Sequence, residues 1–79
     1  MEIIIYSKNN CPNCLKAKNK LSKYQPKIMM LGKDISHKVF LEKFPNVKQV
    51  PQIVVNNKHI GDYEDVKRWL AFNVPEDNF

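Results

Sequence analysis

The fold depends most on residues 2–14, which read EIIIYSKNNCPNC. Residues 2–6 are rich in isoleucine and contain no breaker, so they predict a buried β-strand. Residues 7–10 are polar and predict a loop, and Pro12 suits the first turn of a helix, where its missing N–H costs nothing. The stretch therefore predicts a strand that leads through a short loop into a helix, with two cysteines at the helix start.

Apolar residues recur at helical spacing after this junction. The predicted inward stripe is Cys14, Ala17, Leu21 and Tyr24, and lysines occupy the opposite face. Pro26 ends the helical region, because the residue before a proline is disfavoured in the helical conformation.

The remainder of the chain predicts three more strands and two more helices. A hairpin turn is expected at Asn56 and Asn57, between the last two strands. Ser36 is expected to cap a second helix and Asp62 a third. The strands are expected at residues 27–31, 52–56 and 58–60. The expected inward-facing residues are Phe40, Leu41 and Phe44 in the second helix and Tyr63, Val66, Trp69 and Leu70 in the third.

The order of these elements predicts an α/β fold. A strand–helix–strand beginning gives a parallel pair of strands through a right-handed crossover, and the later hairpin gives an antiparallel pair. A four-stranded mixed sheet flanked by three helices, in the order β-α-β-α-β-β-α, closes such a chain. We expect a single domain over residues 1–79, with residues 73–79 as a frayed tail because they include a proline and two acids.

Charge is unevenly distributed along the 79 residues, whose formal net charge is +5. Residues 1–33 contain seven lysines and one acid, whereas residues 34–79 contain six basic and seven acidic groups. The basic first third favours an anionic partner, or it serves as a solvated lysine face. The apolar runs are too short for a membrane helix, which needs about 20 residues, and no secretory signal is visible. We therefore expect a cytoplasmic protein with no membrane partner.

Cys11 and Cys14 are the only cysteines. They close too small a loop to stabilise a fold, so their purpose is redox chemistry or metal binding. Zinc takes four ligands, and neither a second cysteine pair nor a closely spaced histidine pair is present, since the two histidines are His37 and His59. The sequence therefore favours redox chemistry and predicts no metal site within one chain.

The positions of the two cysteines predict an unequal pair of thiols. Cys11 is expected at the N-cap of the first helix, where unpaired N–H groups and the helix dipole favour an anion. Lys8 adds a positive charge nearby. Both effects lower the pKa of a thiol, and the thiolate is the reactive form. Because Cys14 points toward the core stripe, we predict that Cys11 attacks a disulfide and that Cys14 resolves the mixed disulfide.

Two segments of the sequence resemble those of glutaredoxins. Residues 6–18, YSKNNCPNCLKAK, are similar to the active-site segment of that family. Residues 50–53, VPQI, followed by HIG at residues 59–61 and an acidic helix start, are similar to its second signature. The resemblance spans nearly the whole chain and implies a thioredoxin fold and a glutathione-dependent oxidoreductase.

The resemblance also implies how the active site is built. It makes Cys11 the nucleophile and Cys14 the resolving thiol. It implies that Lys8 attracts a glutathione carboxylate and that Pro51 is in the cis form, packed opposite Cys11. The backbone of Val50 is then free to pair with the tripeptide as a short added strand.

The start of the third helix is the implied site for the glutamyl end of glutathione. Backbone N–H groups there can hold the glutamyl carboxylate, and Glu64 can pair with the ammonium group. The alternative is that Asp62 and Glu64 only stabilise the first turn of the helix. The complete implied glutathione site comprises Lys8, Asn13, Gln49, Val50, Pro51, Tyr63 and Glu64.

Three positions depart from the usual glutaredoxin pattern. Asn13 stands where many members have tyrosine, Asp62 replaces a second glycine, and Gln49 replaces threonine. The basic residue that grips the glycyl carboxylate is open among Lys33, Lys38 and Lys48.

We expect a monomeric dithiol glutaredoxin that uses glutathione as co-substrate, binds no cofactor and no nucleic acid, and reduces protein disulfides and glutathionylated proteins. Ribonucleotide reductase is a target that the resemblance implies. One alternative is a carrier reduced by thioredoxin reductase, which the departures at Asn13 and Asp62 favour. Another is a glutathione-ligated iron–sulfur dimer, against which Pro12 weighs. A nucleic-acid-binding module is a third, but no aromatic residues are interleaved among the lysines.

Overall fold

The computed structural model describes residues 1–74, which form four strands and three α-helices. The strands are β1 (Ile3–Ser7), β2 (Lys27–Met30), β3 (Gln52–Val55) and β4 (Lys58–Gly61). The helices are α1 (Pro12–Lys20), α2 (His37–Lys43) and α3 (Tyr63–Asn73), and a short 3-10 helix spans Ser22–Tyr24.

The four strands form one mixed sheet in the order β2-β1-β3-β4. β1 pairs with β2 in parallel and with β3 antiparallel, and β3 and β4 form an antiparallel hairpin. Asn56 and Asn57 form the hairpin turn with φ values of 50° and 67°, a left-handed conformation that asparagine tolerates. The predicted α/β fold is confirmed, and its central strand β1 delivers the chain to the two cysteines.

Apolar residues cover both faces of the sheet. Because side chains alternate along a strand, Ile3 and Ile5 of β1 face one side and Tyr6 faces the other. The larger cluster joins the first face to α1 and α3; its buried members are Ile3, Ile5, Ala17, Leu21, Ile53, Val55, Val66 and Leu70. Each of the large aliphatic side chains in it contributes about 1.5–3 kcal/mol on burial, so this cluster fixes α1 against β1.

A smaller aromatic cluster joins the second face to α2. The ring of Tyr6 lies 5.8 Å from that of Phe40 and 5.1 Å from that of Phe44, measured between centroids. Burial raises the pKa of the Tyr6 phenol. Ser36 caps α2 as predicted, because its hydroxyl accepts a hydrogen bond from the Val39 amide at 3.1 Å.

Two details of the predicted helices are wrong. The helix after the cysteines ends at Lys20, and Tyr24 lies in the separate 3-10 helix, where the last turn has tightened as helix ends often do. Leu41 is exposed instead of inward-facing. It follows Phe40 by one residue, a rotation of about 100° around the helix axis, so burial of Phe40 turns Leu41 toward solvent.

The predicted frayed tail begins at Asn73, and the structure describes its first two residues. Asn73 belongs to α3, and its side-chain amide donates a hydrogen bond to the Trp69 carbonyl at 2.8 Å. Val74 packs against the larger cluster. Residues 75–79 lie outside the described part of the chain. Within residues 1–74 no helix combines the length and the apolar character needed to cross a membrane.

Candidate active site

The loop between β1 and α1 places Cys11 at the start of the helix. Asn10 turns the chain with a φ of 55°, and Cys11 then takes the extended conformation of an N-cap residue. The Cys11 sulfur accepts a hydrogen bond from the Cys14 amide at 3.2 Å. The sulfur thus occupies the position that an oxygen of serine or aspartate takes at an ordinary N-cap.

Cys11 and Cys14 form a disulfide, with their Cα atoms 5.2 Å apart. Their environments differ, because Cys11 is half-buried whereas only 1% of Cys14 is exposed. The first turn of α1 contains no acidic residue. When the disulfide is reduced, the positive end of the helix dipole therefore acts on the Cys11 sulfur without a competing carboxylate in that turn.

A second loop, which leads into β3, lies next to the Cys11 sulfur. The Val50–Pro51 peptide bond is cis, and the Val50 carbonyl oxygen lies 3.7 Å from the Cys11 sulfur. Pro51 is fully buried. The predicted cis bond opposite Cys11 is therefore present in the structure.

Gln52 and His59 hold this loop in position. The buried side chain of Gln52 donates a hydrogen bond to the Gln49 carbonyl at 3.0 Å. Its amide oxygen lies 2.7 Å from His59 Nε2, and the His59 ring lies 4.5 Å from that of Phe44. The loop that meets Cys11 is thus tied to the aromatic cluster under α2.

The start of α3 is capped by its own carboxylates. Asp62 accepts a hydrogen bond from the Asp65 amide at 3.0 Å, and Asp65 accepts one from the Asp62 amide at 3.1 Å. This reciprocal pair is a capping box. The Asp62 amide, followed by the Arg68 guanidinium, holds the pKa of the Asp65 carboxyl below its usual value. Two backbone amides at this helix start, where a glutamyl carboxylate was predicted to bind, are therefore occupied.

Two clefts lie on either side of Lys8, and Cys11 lines the larger one. We call the first the Val50 cleft, of about 80 Å³; it is lined by Lys8, Leu31, His37, Phe40, Leu41, Lys48, Gln49 and Val50. We call the second the Leu15 cleft, of about 620 Å³; it is lined by Lys8, Asn9, Asn10, Cys11, Pro12, Leu15 and Lys18. The two clefts share Lys8.

The predicted glutathione residues lie in three places. Lys8, Gln49 and Val50 line the Val50 cleft, and Pro51 lies beside them. Asn13 is exposed in the first turn of α1. The other two lie on α3 and already have partners, since the Glu64 carboxylate is 3.2 Å from Lys67 Nζ and the Tyr63 ring lies under the same ammonium at 5.1 Å.

The sequence left one residue of this region undecided and did not reveal two other features. Lys48 was one of three candidates for a basic contact, and it is the one that lines the Val50 cleft. The capping box could have been found from the aspartates at positions 62 and 65, which match its spacing. No sequence motif predicted the Gln52–His59 contact, because it joins two neighbouring strands and depends on how they pair.

Within residues 1–74 no group of three or more His, Cys, Asp or Glu side chains is arranged to hold a metal ion. Cys11 and Cys14 give the site the chemistry of two thiols. One is placed at a helix start beside a cis-proline loop, and the other is buried one turn behind it.

Comparison with known proteins agrees with this geometry. The model of the Glutaredoxin family matches residues 3–60. Glutaredoxin 1 of Escherichia coli K12 is 32% identical, over 94% of this chain and 98% of the relative. The solution structure of reduced E. coli glutaredoxin superposes with a TM-score of 0.78 at 31% identity, covering 95% of this chain and 99% of that one.

A buckwheat glutaredoxin solved in complex with glutathione has a TM-score of 0.68 at 20% identity, over 92% of this chain and 73% of that one, so it shows a shared fold. The sheet order and the three helices are those of the thioredoxin fold, as predicted. Together with the disulfide between Cys11 and Cys14, these matches identify a thiol–disulfide oxidoreductase. The chain belongs to the glutaredoxin family.

Proposed function

We propose that this chain uses glutathione to reduce protein disulfides and glutathione mixed disulfides. The observation that carries the proposal is the Cys11 sulfur at the N-cap of α1, 3.2 Å from the Cys14 amide and 3.7 Å from the Val50 carbonyl oxygen. The amide stabilises negative charge on the sulfur, and the cis-proline loop forms one wall of the space in which a second sulfur must lie.

The reduction of a target disulfide takes two exchanges. The Cys11 thiolate attacks one target sulfur, the target disulfide breaks, and the other target sulfur leaves with the bonding electrons and takes up a proton. Cys14 then loses its proton and attacks the Cys11 sulfur, which releases the second target thiolate. The products are a target dithiol and the Cys11–Cys14 disulfide that the structure contains.

Two glutathione molecules restore the dithiol. The thiolate of the first attacks the Cys11 sulfur and displaces Cys14, and the thiolate of the second attacks the sulfur of the bound glutathione and displaces Cys11. One glutathione disulfide leaves, so the two electrons balance. With a glutathionylated protein, Cys11 alone can take the glutathionyl group and pass it to a second glutathione.

The Val50 cleft supports the choice of glutathione as reductant. Glutathione carries two carboxylates, and the residues that line the cleft include two lysines, Lys8 and Lys48, together with Val50. A strand-like pairing of the tripeptide with the Val50 backbone would direct its sulfur toward Cys11. We assign Lys48 as the second basic contact for the ligand.

A second candidate function is favoured by the capping box of α3. The Asp62 and Asp65 carboxylates occupy amides that a glutamyl carboxylate could use and add negative charge there. This arrangement weakens the glutathione site and so favours a carrier that thioredoxin reductase reduces.

The test supplies the oxidised protein with one reducing system at a time. We expect glutathione with glutathione reductase and NADPH to support reduction of a disulfide-containing target, and thioredoxin reductase with NADPH to be slow. Cys11→Ser abolishes turnover of both disulfides and glutathionylated peptides. Cys14→Ser abolishes only the reduction of disulfides, because removal of a glutathionyl group needs Cys11 alone.

Two results would reject this scheme. Activity retained in Cys11→Ser would mean that another group attacks the substrate. Reduction by thioredoxin reductase but not by glutathione would establish the second candidate function.

We also propose that the chain acts as a cytoplasmic monomer without a bound cofactor and that ribonucleotide reductase is among its targets. Its resemblance to small glutaredoxins supports these assignments. Visible absorbance after anaerobic reconstitution with iron, sulfide and glutathione would instead establish an iron–sulfur dimer.

A further inference from the structure

The Leu15 cleft has no part in glutathione binding as proposed above. It shares only Lys8 with the Val50 cleft, yet Cys11 is among its lining residues. Its apolar surface comes from Pro12 and from Leu15, of which 59% is exposed. Leu15 directly follows the buried Cys14 and lies off the buried stripe of α1, so the fold does not require an apolar residue at this position.

The charge around the Leu15 cleft is positive. Lys8 and Lys18 line it, and no acidic residue does so among residues 1–74. Asp34, which follows β2, accepts a hydrogen bond from the Met30 amide at 2.9 Å and does not line the cleft. Glu2 precedes β1, whereas Cys11 follows it. The five residues of β1 place these two ends about 16 Å apart, beyond the screening length of physiological salt.

We propose that the Leu15 cleft docks the polypeptide on one side of the target disulfide, and that this segment is acidic and carries an apolar side chain. The inference rests on the proposed function and names its class of protein substrate. The apolar side chain packs on Leu15 and Pro12, and carboxylates of the segment face Lys8 and Lys18. The target sulfur is then held beside Cys11, whose thiolate forms the mixed disulfide while the second target sulfur leaves with the electron pair.

A polypeptide suits this cleft better than other anions do. Single-stranded nucleic acid binds by stacking its bases on aromatic side chains, and no aromatic residue lines the cleft among residues 1–74. Glutathione offers no large apolar side chain for Leu15. An acidic segment with an apolar residue uses both the lysines and the exposed leucine.

The experiment compares two short peptides that contain the same internal disulfide and the same leucine. One has glutamates beside the disulfide and the other has lysines at those positions. With glutathione as reductant, we expect kcat/KM of the wild-type protein to be about tenfold higher for the acidic peptide. Lys18→Glu lowers this preference about fivefold, and raising the salt to about 0.5 M lowers it further.

Lys16→Glu is the matched control. Lys16 is exposed on the same helix, does not line the cleft, and gives the same change in net charge. We expect it to lower the preference less than twofold, since exposed charges outside the contact are screened. Leu15→Ser is expected to lower kcat/KM for the acidic peptide about fivefold and to have no such effect when the leucine of the peptide is replaced by serine.

Three outcomes would overturn the docking proposal. They are equal kcat/KM for the two peptides, an effect of Lys16→Glu as large as that of Lys18→Glu, and competition by a single-stranded oligonucleotide as strong as that by the acidic peptide. Normal turnover of a small disulfide together with any of these rejects the docking alone. Inactivity of the wild-type protein on every disulfide rejects the proposed function and this inference with it.

Discussion

The starts of α1 and α3 use the same hydrogen bond for opposite purposes. At α1 the Cys11 sulfur accepts from the Cys14 amide at 3.2 Å, and at α3 an Asp62 oxygen accepts from the Asp65 amide at 3.0 Å. The first turn of α1 contains no acid, whereas that of α3 contains Glu64 and Asp65. One helix start therefore leaves its positive potential to a sulfur, and the other neutralises it with carboxylates.

The start of α1 favours a reactive thiolate, whereas the start of α3 favours a stable helix. A helix N-terminus stabilises one nearby anion well, and carboxylates placed there compete with any other anion. The acids at α3 anchor a helix that packs against the larger core cluster, and they exclude further negative charge. The first turn of α1 has no acidic residue, so it lacks this stabilisation but leaves its positive end available to a thiolate.

The largest change in stability is expected from a substitution that disrupts the cap of α3 and leaves α1 unchanged. Gly61 has a φ of +134°, and a Cβ there would overlap the Asp65 carboxylate. We expect Gly61→Ala to lower the free energy of unfolding by about 2–3 kcal/mol, measured by chemical denaturation. Gly32→Ala is the control, because Gly32 has a φ of +85° with open space around it, and it should cost about 1 kcal/mol. Equal losses would show that the capping box contributes nothing.

A smaller effect tests the charge in the same cap. Asp65→Asn removes a charged member of the capping box and should lower the free energy of unfolding by about 1 kcal/mol at neutral pH. The loss is no larger because solvent screens the ion pair between Asp65 and Arg68. The pKa of the Asp65 carboxyl is lowered in the folded protein, so its stabilisation is present above about pH 4 and is lost as the pH falls through the folded value. The difference from wild type should therefore shrink in acid. Glu64→Gln is the control, and a difference that grows in acid would contradict the account.

The smallest effect is expected from a substitution that gives the first turn of α1 an acidic residue, as the first turn of α3 already has. Asn13→Asp places a carboxylate in the first turn, two residues from Cys11. We expect reduced Cys11 to react with iodoacetamide about threefold more slowly at pH 6, while the fold gains about 0.5 kcal/mol. Asn13→Gln should change neither quantity. An unchanged alkylation rate in Asn13→Asp would mean that the helix start does not act on the sulfur.

The sequence predicted the parts of this site that depend on local chemistry. The spacing of Cys11, Pro12 and Cys14 after an isoleucine-rich strand predicted the N-cap sulfur and the buried second thiol. The resemblance to glutaredoxins, not the spacing, predicted the cis bond at Pro51, because trans is the usual form of such bonds.

The parts that the sequence could not predict depend on contacts between distant segments. The Gln52–His59 contact requires the register of β3 against β4, and the choice of Lys48 over Lys33 and Lys38 requires the packing of the loop after α2. Leu41 was misplaced because a seven-residue helix buries only a narrow stripe. The exposed Leu15 was visible in the sequence, but only the structure shows that it adjoins the reactive sulfur.

The most direct test of the central claim is the pH dependence of Cys11 alkylation in the reduced Cys14→Ser variant, which isolates one thiol. We expect iodoacetamide to label Cys11 at pH 6 far faster than it labels free cysteine, whose thiol ionises near pH 8.5. A rate that follows free cysteine across the whole pH range would contradict the claim that the start of α1 holds a thiolate.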